Sequence, residues 1–334
     1  MQLKSLSPHQ AAGSQLIELA LLGALMIVVG SCGGSGSSIK TADPQPTQPA
    51  QPAQPPAHHI QNVFIILMEN HNWTGDGSLS IQNNPSAPYI NGTLVPMGAY
   101  ASNYNNPPMN HPSLPNYLWL EAGTNFGILQ DGPSVAADEQ PTTQHLVSLL
   151  TAANISWKAY SGTTDGITCP LTDQWHTPFV FFSDVTDNLN VNSANCISHI
   201  RPIAELDTDL AAGTTPRYSF ITPFDCYNMH TSCTGDDQIL TGDTWLSQEV
   251  PKILASAAYQ NGVLIVLFDE ADKGDGPIPM LVLSPFGKTG GYTNTTYYEH
   301  GSMLRTIEEI FGVTPLLNDA AQQTDLSDFF NQFP

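Results

Sequence analysis

Five short apolar runs, separated by helical patterns, constrain the fold of this chain more than any other feature of its sequence. Such runs are typical of strands that are buried on both faces of a parallel sheet, and they occupy residues 63–68, 155–160, 217–222, 263–268 and 279–283. Helical patterns occupy residues 143–153, 243–259 and 299–311, and Pro251 is expected to kink or divide the second of them. The alternation predicts a three-layer α/β fold, in which helices cover both faces of a mostly parallel central sheet.

The charge of the chain excludes several classes of function. It has 9 Lys and Arg against 30 Asp and Glu, which gives a formal net charge of −21. Nucleic-acid binding needs basic patches that displace counterions from phosphates, so this composition argues against it. The shortage of cations also disfavours electrostatic attachment to anionic lipid. Because 41% of the residues are hydrophobic, the chain can bury a sizeable core, and wholesale disorder is excluded.

The N-terminal segment has the features of an export signal that is followed by a tether. Residues 16–30 are almost entirely apolar, and residues 29–32 (VGSC) resemble a bacterial lipobox, in which the cysteine receives lipid after cleavage. An ordinary signal peptide or an N-terminal anchor helix is the alternative. The expected organisation is a signal peptide over 1–31, lipidation of Cys32, a Gly/Ser-rich and Pro/Gln-rich tether over 32–58, and the functional domain over 59–334.

This interpretation predicts an exported bacterial lipoprotein that faces the periplasm or the exterior and meets the membrane only through its lipid anchor. Stable anchoring needs more than one acyl chain, because a single chain binds a bilayer only marginally. Gly33, which follows Cys32, is not the aspartate of inner-membrane retention. In a host with two membranes, this residue indicates sorting to the outer membrane.

Four cysteines remain for the domain once Cys32 is set aside. An even number of cysteines in an oxidising compartment indicates disulfides, and four cysteines allow three pairings. Local spacing favours Cys226–Cys233 together with Cys169–Cys196. Zinc ligation by thiolates is the alternative, but the chain contains no CxxC spacing.

Polar residues follow three of the predicted strands. Glu69 and Asn70 follow the first strand, Asp225 follows the third, and Asp269 and Glu270 follow the fourth. Ligands of open α/β sheets bind at the carboxyl ends of the strands, so these side chains are expected to meet at one edge. Their oxygen atoms suit a hard divalent cation. For any one of them, the alternative is an ordinary turn residue.

A candidate nucleophile lies within residues 70–142, which are rich in Asn, Pro and Gly and are predicted to be mainly loops. Ser113 precedes an apolar helical pattern that has Pro115 in its first turn. Its hydroxyl is therefore predicted at a helix N-cap, beside free backbone N–H groups that favour anions. A plain capping serine is the alternative. A neighbouring cation would lower the pKa of the hydroxyl and make it nucleophilic near neutral pH.

Six sequence blocks follow one another in a specific order. They are MENH from Met68, HPSLPNY from His111, DCYNMH from Asp225, GDTWL from Gly242, DE from Asp269 and EHGS from Glu299. Together they resemble the bacterial phosphoesterase family, which holds acid phosphatases, phosphatidylinositol-3-phosphate phosphatases and phospholipases C. That family belongs to the alkaline phosphatase superfamily, so the resemblance, which extends over residues 62–311, implies an alkaline phosphatase-like form of the three-layer fold.

The resemblance also implies a role for each matching residue. One divalent metal ion of unknown identity would be held by Glu69, Asn70, Ser113, Asp269 and Glu270. Ser113 would be the nucleophile, and Asn116 would lie near the substrate phosphate. The phosphate and leaving-group side would be lined by His111, His230 and His300.

The chain departs from the family pattern at one block. Tyr227 and Asn228 stand where the family commonly has a histidine and a carboxylate, which favours one metal ion over two. Histidines outside the blocks are expected to be core or surface residues; they are His145, His176 and His199.

The function implied by the resemblance is that of an exported, metal-dependent phosphomonoesterase of the acid phosphatase type. It would act through a phosphoserine intermediate on a small phosphate ester or a phospholipid headgroup, and phosphatidylinositol 3-phosphate is a candidate substrate. A phospholipase C or another phosphodiesterase is the first alternative, because the same core can cleave either side of a phosphate. A lipid-anchored binding protein without catalysis is the second, and Tyr227 and Asn228 support it.

Overall fold

A computed structural model describes residues 58–172 and 175–334, which lie within the unit Pro55–Pro334. The predicted signal peptide, Cys32 and almost all of the predicted tether lie outside the described residues, so these expectations stay predictions. In the part of the chain that is described, no helix combines the length and the apolar character needed to cross a bilayer.

Eight strands of the described residues form one mixed sheet. They are β1 (Asn62–Met68), β2 (Ala99–Ala101), β3 (Trp157–Ser161), β4 (Ile200–Pro202), β5 (Tyr218–Thr222), β6 (Gly262–Phe268), β7 (Met280–Leu283) and β8 (Tyr292–Asn294). Their order across the sheet is β4-β3-β5-β1-β6-β7-β2-β8. The strands from β4 to β6 are mutually parallel, whereas β7 runs antiparallel to both of its neighbours.

All five predicted strands are present, as β1, β3, β5, β6 and β7, and the prediction of a mostly parallel sheet is confirmed. β1 and β6 are neighbours in the sheet and are buried over nearly their whole length, which explains their continuous apolar sequences. β2, β4 and β8 have only three residues each, which is too short for a sequence pattern to indicate a strand.

Helices cover both faces of the sheet, which agrees with the predicted three layers. The connection from β2 to β3 crosses the sheet in one direction, and those from β4 to β5 and from β5 to β6 cross in the other. Because parallel crossovers are right-handed, helices on these two kinds of connection lie on opposite faces. The α-helices are α1 (Val95–Met97), α2 (Ser113–Ala122), α3 (Leu146–Ala152), α4 (Ser183–Thr186), α5 (Ala194–His199), α6 (Ala204–Ala212), α7 (Gln238–Leu254) and α8 (His300–Phe311). Accordingly α2, α3 and α8 pack together, whereas α6 packs on α7.

Short helical turns occupy much of the predicted loop region and the C-terminal part. A π-helical segment, Ile90–Leu94, precedes α1. The 3₁₀ helices are Gly77–Leu79, Val135–Ala137, Pro178–Phe181, Ala258–Asn261, Asn318–Ala321 and Ser327–Phe329.

Helix α7 differs in its bounds from the predicted helical pattern over 243–259, in which Pro251 was expected to cause a kink or a division. It begins earlier because the Asp237 side chain caps it, accepting hydrogen bonds from the N–H groups of Ile239 and Leu240 at 3.0 and 3.1 Å. It continues through Pro251 to Leu254. A proline in a helix removes one backbone hydrogen bond, here the one to the carbonyl of Ser247. Ser247 is only half-buried, so water can reach this carbonyl and the helix tolerates the proline.

Both disulfides have the predicted pairing. Cys169 pairs with Cys196 and Cys226 pairs with Cys233, with Cα–Cα distances of 5.5 and 5.3 Å. The first disulfide is buried, whereas Cys233 is exposed. The second disulfide closes the loop that follows β5.

A buried charged histidine connects three of the helices. Nδ1 of His145 lies 2.8 Å from Glu121 Oε1 of α2, and Nε2 lies 3.0 Å from Asp184 Oδ1 of α4. The ring stacks on Phe182 with 3.8 Å between ring centroids. Burial lowers the pKa of His145, but the hydrogen bonds to Asp184 and Glu121 outweigh it and raise the pKa to about 9. His145 is therefore an imidazolium in the core at neutral pH.

The stability of the protein is expected to fall as the pH rises through about 9. A histidine whose pKa is raised on folding stabilises the protein fully below its unfolded value of 6.5 and no longer does so above about 9. This difference corresponds to about 3 kcal/mol. Urea unfolding of the wild type should show that loss, whereas His145→Gln should remove most of the pH dependence. His199→Gln is the control, because burial lowers the pKa of His199, and an equal effect in this variant would contradict the assignment.

Candidate active site

The ends of the two central strands bring three of the predicted site residues together. β1 and β6 pair in parallel from Asn62 with Gly262 to Met68 with Phe268, so the residues after each strand end are neighbours. The backbone N–H of Asn70 donates to Asp269 Oδ1 at 3.1 Å. Asn70 adopts a left-handed backbone conformation, with a φ of 46°, which asparagine tolerates better than most residues. Glu69 and Asp269 are completely buried at this edge.

Ser113 joins the same cluster from the first turn of α2. It is the first residue of the helix, and its hydroxyl donates to Glu69 Oε2 at 3.0 Å. The prediction that this hydroxyl caps the helix is wrong, because the side chain points to the carboxylate. One N–H group at the helix start is satisfied instead by Asp131, whose Oδ1 accepts from the backbone of Leu114 at 2.9 Å.

Burial and mutual repulsion hold the carboxylates of this cluster in their neutral forms. Burial raises the pKa of Glu69 to about 8, against the hydrogen bonds that it receives from Tyr117 and Ser113. Burial also raises the pKa of Asp269 well above its usual range, and the charges of Glu69 and Glu270 add to this effect. Among the described residues, no lysine or arginine forms an ion pair with Glu69 or Asp269 that would favour their charged forms.

The donor atoms of this cluster fit a single divalent cation. One end of the Asn70 amide lies 3.0 Å from Asp269 Oδ1 and 3.1 Å from Glu69 Oε2. With its NH₂ group there, the amide donates to both carboxylates; with its oxygen there, three oxygens converge, an arrangement that a cation among them would stabilise. The Ser113 hydroxyl adds a fourth oxygen, and hard cations prefer such sets. Within the described ranges, no three His, Cys, Asp or Glu side chains form a metal site by themselves.

Glu270 is turned away from this oxygen cluster toward His111. Its Oε2 accepts from His111 Nδ1 at 2.6 Å and from Asn116 Nδ2 at 3.1 Å. The other ring nitrogen of His111 lies 3.1 Å from Asp275 Oδ1. The hydrogen bond to Glu270 raises the pKa of His111 to about 9, against the effect of burial, so this ring is positively charged near Ser113. This location differs from the expectation that Glu270 is a metal ligand.

The side-chain amide of Asn116 forms hydrogen bonds only with groups inside the described part of the protein. Besides its bond to Glu270, its amide donates to the carbonyl of Asn110 at 2.8 Å and accepts from the Asn110 side chain at 3.0 Å. It is completely buried. The structure thus places Asn116 as a support for Glu270 and the loop before α2, and its expected position near the phosphate stays a prediction.

His176, which was expected to be a core or surface residue, lies in the site. Its Nε2 is 3.5 Å from Glu69 Oε1 and its Nδ1 is 3.5 Å from Asp225 Oδ1. Its ring stacks on Tyr117, with 5.3 Å between centroids. The hydrogen bond from His176 also holds the pKa of Asp225 below its usual range. No sequence motif surrounds His176. Its position in the site could be predicted only from the order of the strands in the sheet, because the connection that carries it follows β3, and β3 is the neighbour of β5.

The two remaining predicted histidines occupy different surroundings. His230 is exposed at the mouth of the site, and its ring centroid lies 5.8 Å from that of His176. His300 is completely buried; Nε2 donates to the backbone carbonyl of Asp269 at 2.5 Å, and Nδ1 accepts from the Tyr104 hydroxyl at 3.1 Å. Burial lowers the pKa of His300 to about 4. This neutral ring supports the strand end through these contacts, and its expected role on the leaving-group side stays a prediction.

Tyr227 and Asn228, the two residues that depart from the family pattern, differ in their exposure to solvent. Tyr227 is exposed, whereas Asn228 is buried. The backbone carbonyl of Asn228 accepts from the N–H of Glu69 at 2.8 Å, and its side-chain oxygen accepts from the N–H of His230 at 2.8 Å. Asn228 therefore connects the loop after β5 to the end of β1, a role that needs no carboxylate.

A family comparison agrees with this arrangement. The model of the phosphoesterase family matches residues 101–314, which is more than half of the chain. The chain belongs to the phosphoesterase family. It is a hydrolase that acts on phosphoric ester bonds. The matched segment contains Ser113, His176, Asp269 and Glu270, and it begins after Glu69.

Three proteins of known name are similar to this phosphoesterase. The phosphatidylinositol-3-phosphatase of Mycobacterium tuberculosis is 27% identical over 79% of the chain and 82% of that protein. A Kluyveromyces lactis protein named "Probable acid phosphatase" is 25% identical over 73% of the chain and 56% of its own length. The non-hemolytic phospholipase C of Pseudomonas aeruginosa is 24% identical over 60% of the chain, but only 35% of that enzyme is covered.

The fold of the phosphoesterase is shared with solved structures. A Vibrio parahaemolyticus protein of the alkaline phosphatase superfamily superposes with a TM-score of 0.54 and 15% sequence identity, over 81% of this chain and 72% of that chain. At this identity the likeness concerns the fold alone. It agrees with the predicted alkaline phosphatase-like architecture.

Proposed function

We propose that this phosphoesterase is an exported, metal-dependent phosphomonoesterase of the acid phosphatase type that works through a phosphoserine intermediate at Ser113. The observation that carries the proposal is the 3.0 Å hydrogen bond from the Ser113 hydroxyl to Glu69 within a buried oxygen cluster. Export rests on the apolar segment 16–30 and Cys32. Phosphatidylinositol 3-phosphate is a candidate substrate, which the name of the mycobacterial relative supports.

The residues that would hold the divalent cation are Glu69, Asn70, Asp269 and the hydroxyl of Ser113. When bound, such a cation would lower the pKa of the serine hydroxyl and offset negative charge on the phosphate. Ser113 Oγ forms the bond to phosphorus as its proton passes to Glu69 Oε2, which would be ionised beside the cation, and the bond from phosphorus to the alcohol oxygen breaks on the opposite side. The charged His111, held by Glu270 and Asp275, balances the negative charge of the phosphoryl oxygens.

The alcohol leaves toward the open side of the site. His230 is exposed there beside His176, so its imidazole can donate the proton that the departing oxygen needs. The same ring can then take a proton from the water that attacks the phosphoserine. This second step releases inorganic phosphate, and the proton held by Glu69 returns to Ser113 Oγ and restores the hydroxyl.

Monoester hydrolysis is favoured over diester hydrolysis by the extent of the similarities. The chain spans most of the mycobacterial phosphatase but about a third of the phospholipase C.

The decisive experiment compares turnover of p-nitrophenyl phosphate, bis-p-nitrophenyl phosphate and p-nitrophenyl phosphorylcholine, with and without a chelator. Monoester hydrolysis that stops with chelator supports the proposal. Preference for either diester supports the phosphodiesterase alternative, and no turnover with any divalent metal supports a binding protein.

Replacement of His176 by glutamine is expected to lower kcat for p-nitrophenyl phosphate by about tenfold to a hundredfold. His176 lies between Glu69 and Asp225, so its loss changes the electrostatic surroundings of the cluster on the leaving-group side. Steady-state kinetics of purified variants measures this effect. His199→Gln is the matched control, since His199 stacks on Trp157 outside the site. Equal activity of both variants would show that His176 has no part in turnover.

A further inference from the structure

Large apolar side chains are exposed in the loops around the active site. Met109, Leu129, Trp175, Phe224 and Tyr227 expose between 38% and 85% of their surface, and we call them the apolar rim. Soluble proteins rarely expose neighbouring large apolar groups unless they bind something there. The active site itself uses none of these side chains.

Two rim residues belong to the segments on either side of the nucleophile. The backbone N–H of Met109 donates to Asp275 Oδ1 at 3.0 Å, and the same carboxylate contacts His111. Leu129 lies two residues before Asp131, which accepts a hydrogen bond from the first turn of α2. Met109 and Leu129 are therefore fixed close to the helix start that carries the reactive hydroxyl.

The other three rim residues lie in connections that leave the carboxyl ends of β3 and β5. The indole N–H of Trp175 donates to the carbonyl of Gly132 at 3.2 Å, which joins it to the loop after α2. Phe224 and Tyr227 lie on either side of Asp225, in the loop after β5. Because β3 and β5 are parallel neighbours, all these connections emerge at the edge of the sheet where the active site lies.

The charge at this edge restricts what the rim can bind. Asp225 and Asp275 are about half-exposed at the mouth, where they contact His176 and His111, and no lysine or arginine of the described segments forms an ion pair with either. Lys273, which lies in the loop after β6, is bound to Asp76. Because the chain has a formal net charge of −21, an anionic surface would be repelled, whereas a surface that is apolar inside and has no net charge would be accepted.

The segment before the domain is long enough to let this edge face a membrane. A domain of 280 residues, Pro55–Pro334, has a radius of gyration of about 19 Å and hence a diameter of about 50 Å. Residues 33–57 are rich in Pro and Gln, and 25 residues of such composition span about 80 Å when extended. The domain follows this segment at the start of β1, the edge opposite the active site, so a chain fixed at Cys32 could reach around it.

We propose that the apolar rim is a docking surface for a lipid bilayer without net charge, and that docking places the active site on phosphate esters at the bilayer surface. Aromatic and aliphatic side chains at a rim partition into the region between headgroups and acyl chains. The inference deepens the proposed function and rests on it for the reaction, but the docking itself can be measured without turnover.

The test measures vesicle binding of residues 55–334. This unit contains the whole sheet, its covering helices and both disulfides, so it has its own core and can be produced without the preceding segment. The unit should sediment with phosphatidylcholine vesicles and do so less as phosphatidylserine is added. The double variant Met109→Ser/Phe224→Ser should lower the partition coefficient by about tenfold or more. Met97→Ser is the matched control, since Met97 is an exposed methionine before β2, near the opposite edge.

Activity in solution separates this proposal from the proposed function. All variants should hydrolyse p-nitrophenyl phosphate at the wild-type rate, because the rim residues do not contact the reacting groups. Absence of wild-type binding to phosphatidylcholine, or an equal loss with Met97→Ser, would overturn the docking proposal. Self-association that depends on Met109 would assign the rim to a second copy and would also overturn it. Vesicle binding without any phosphatase activity would support docking and overturn the proposed reaction.

Discussion

Ser113→Ala is expected to abolish turnover, with kcat lowered by at least about a thousandfold. The hydroxyl is the only serine oxygen of the described residues that hydrogen-bonds to a carboxylate at the ends of β1 or β6, so the variant loses the atom that forms the phosphoenzyme. Steady-state hydrolysis of p-nitrophenyl phosphate measures the loss. Acid quenching during turnover, followed by mass spectrometry of the peptide that contains residue 113, should find a phosphoryl group in the wild type and none in the variant.

A buried serine elsewhere in the sheet provides the control for this prediction. Ser219 in β5 is completely buried, and its hydroxyl finds no hydrogen-bond partner in the part of the chain that the structure describes. Ser219→Ala should leave kcat unchanged and should not lower stability, because it removes an unsatisfied polar atom. If Ser113→Ala kept substantial activity while Ser219→Ala behaved as expected, another group would be the nucleophile.

The part of the site that sequence could predict is the part that follows directly from strand ends and motifs. Glu69 and Asp269 each come immediately after a continuous apolar run, and adjacent parallel strands must bring such residues to one edge. Ser113 was found because its motif precedes a helix. These positions depend on local sequence and on one general rule of α/β sheets.

The rest of the site depends on information that no local pattern contains. His176 reaches Glu69 only because β3 is the neighbour of β5 in the sheet, and strand order is a property of the whole fold. His300 begins α8, but the direction of its ring depends on how α8 packs behind the end of β6. Asn116 lies in the matching motif, yet its amide is taken up by Asn110 and Glu270, which a motif cannot reveal.

Glu69→Gln is expected to inactivate the enzyme and, at the same time, to stabilise the protein in the absence of metal. The pKa of Glu69 is raised from 4.5 to about 8 on folding, so its ionisation opposes folding. Below its unfolded pKa this cost is absent, and it grows as the pH rises toward the folded pKa. Near neutral pH it corresponds to about 3 kcal/mol. Urea unfolding with a chelator should therefore show a higher free energy of unfolding for the variant, whereas turnover should fall by at least about a hundredfold.

Divalent cations should reverse this order of stability. A cation that binds the native oxygen cluster stabilises the wild type by mass action, so its thermal unfolding midpoint should rise with metal concentration and fall with chelator. The variant lacks one of the two fully buried carboxylates, and its midpoint should respond little. Glu249→Gln is the control, because among the described residues this carboxylate pairs only with the partly exposed Lys252, and ion pairs that solvent reaches contribute little. If Glu69→Gln lowered the stability of the metal-free protein, the buried carboxylate would be a structural support and not a charge held in place for a cation.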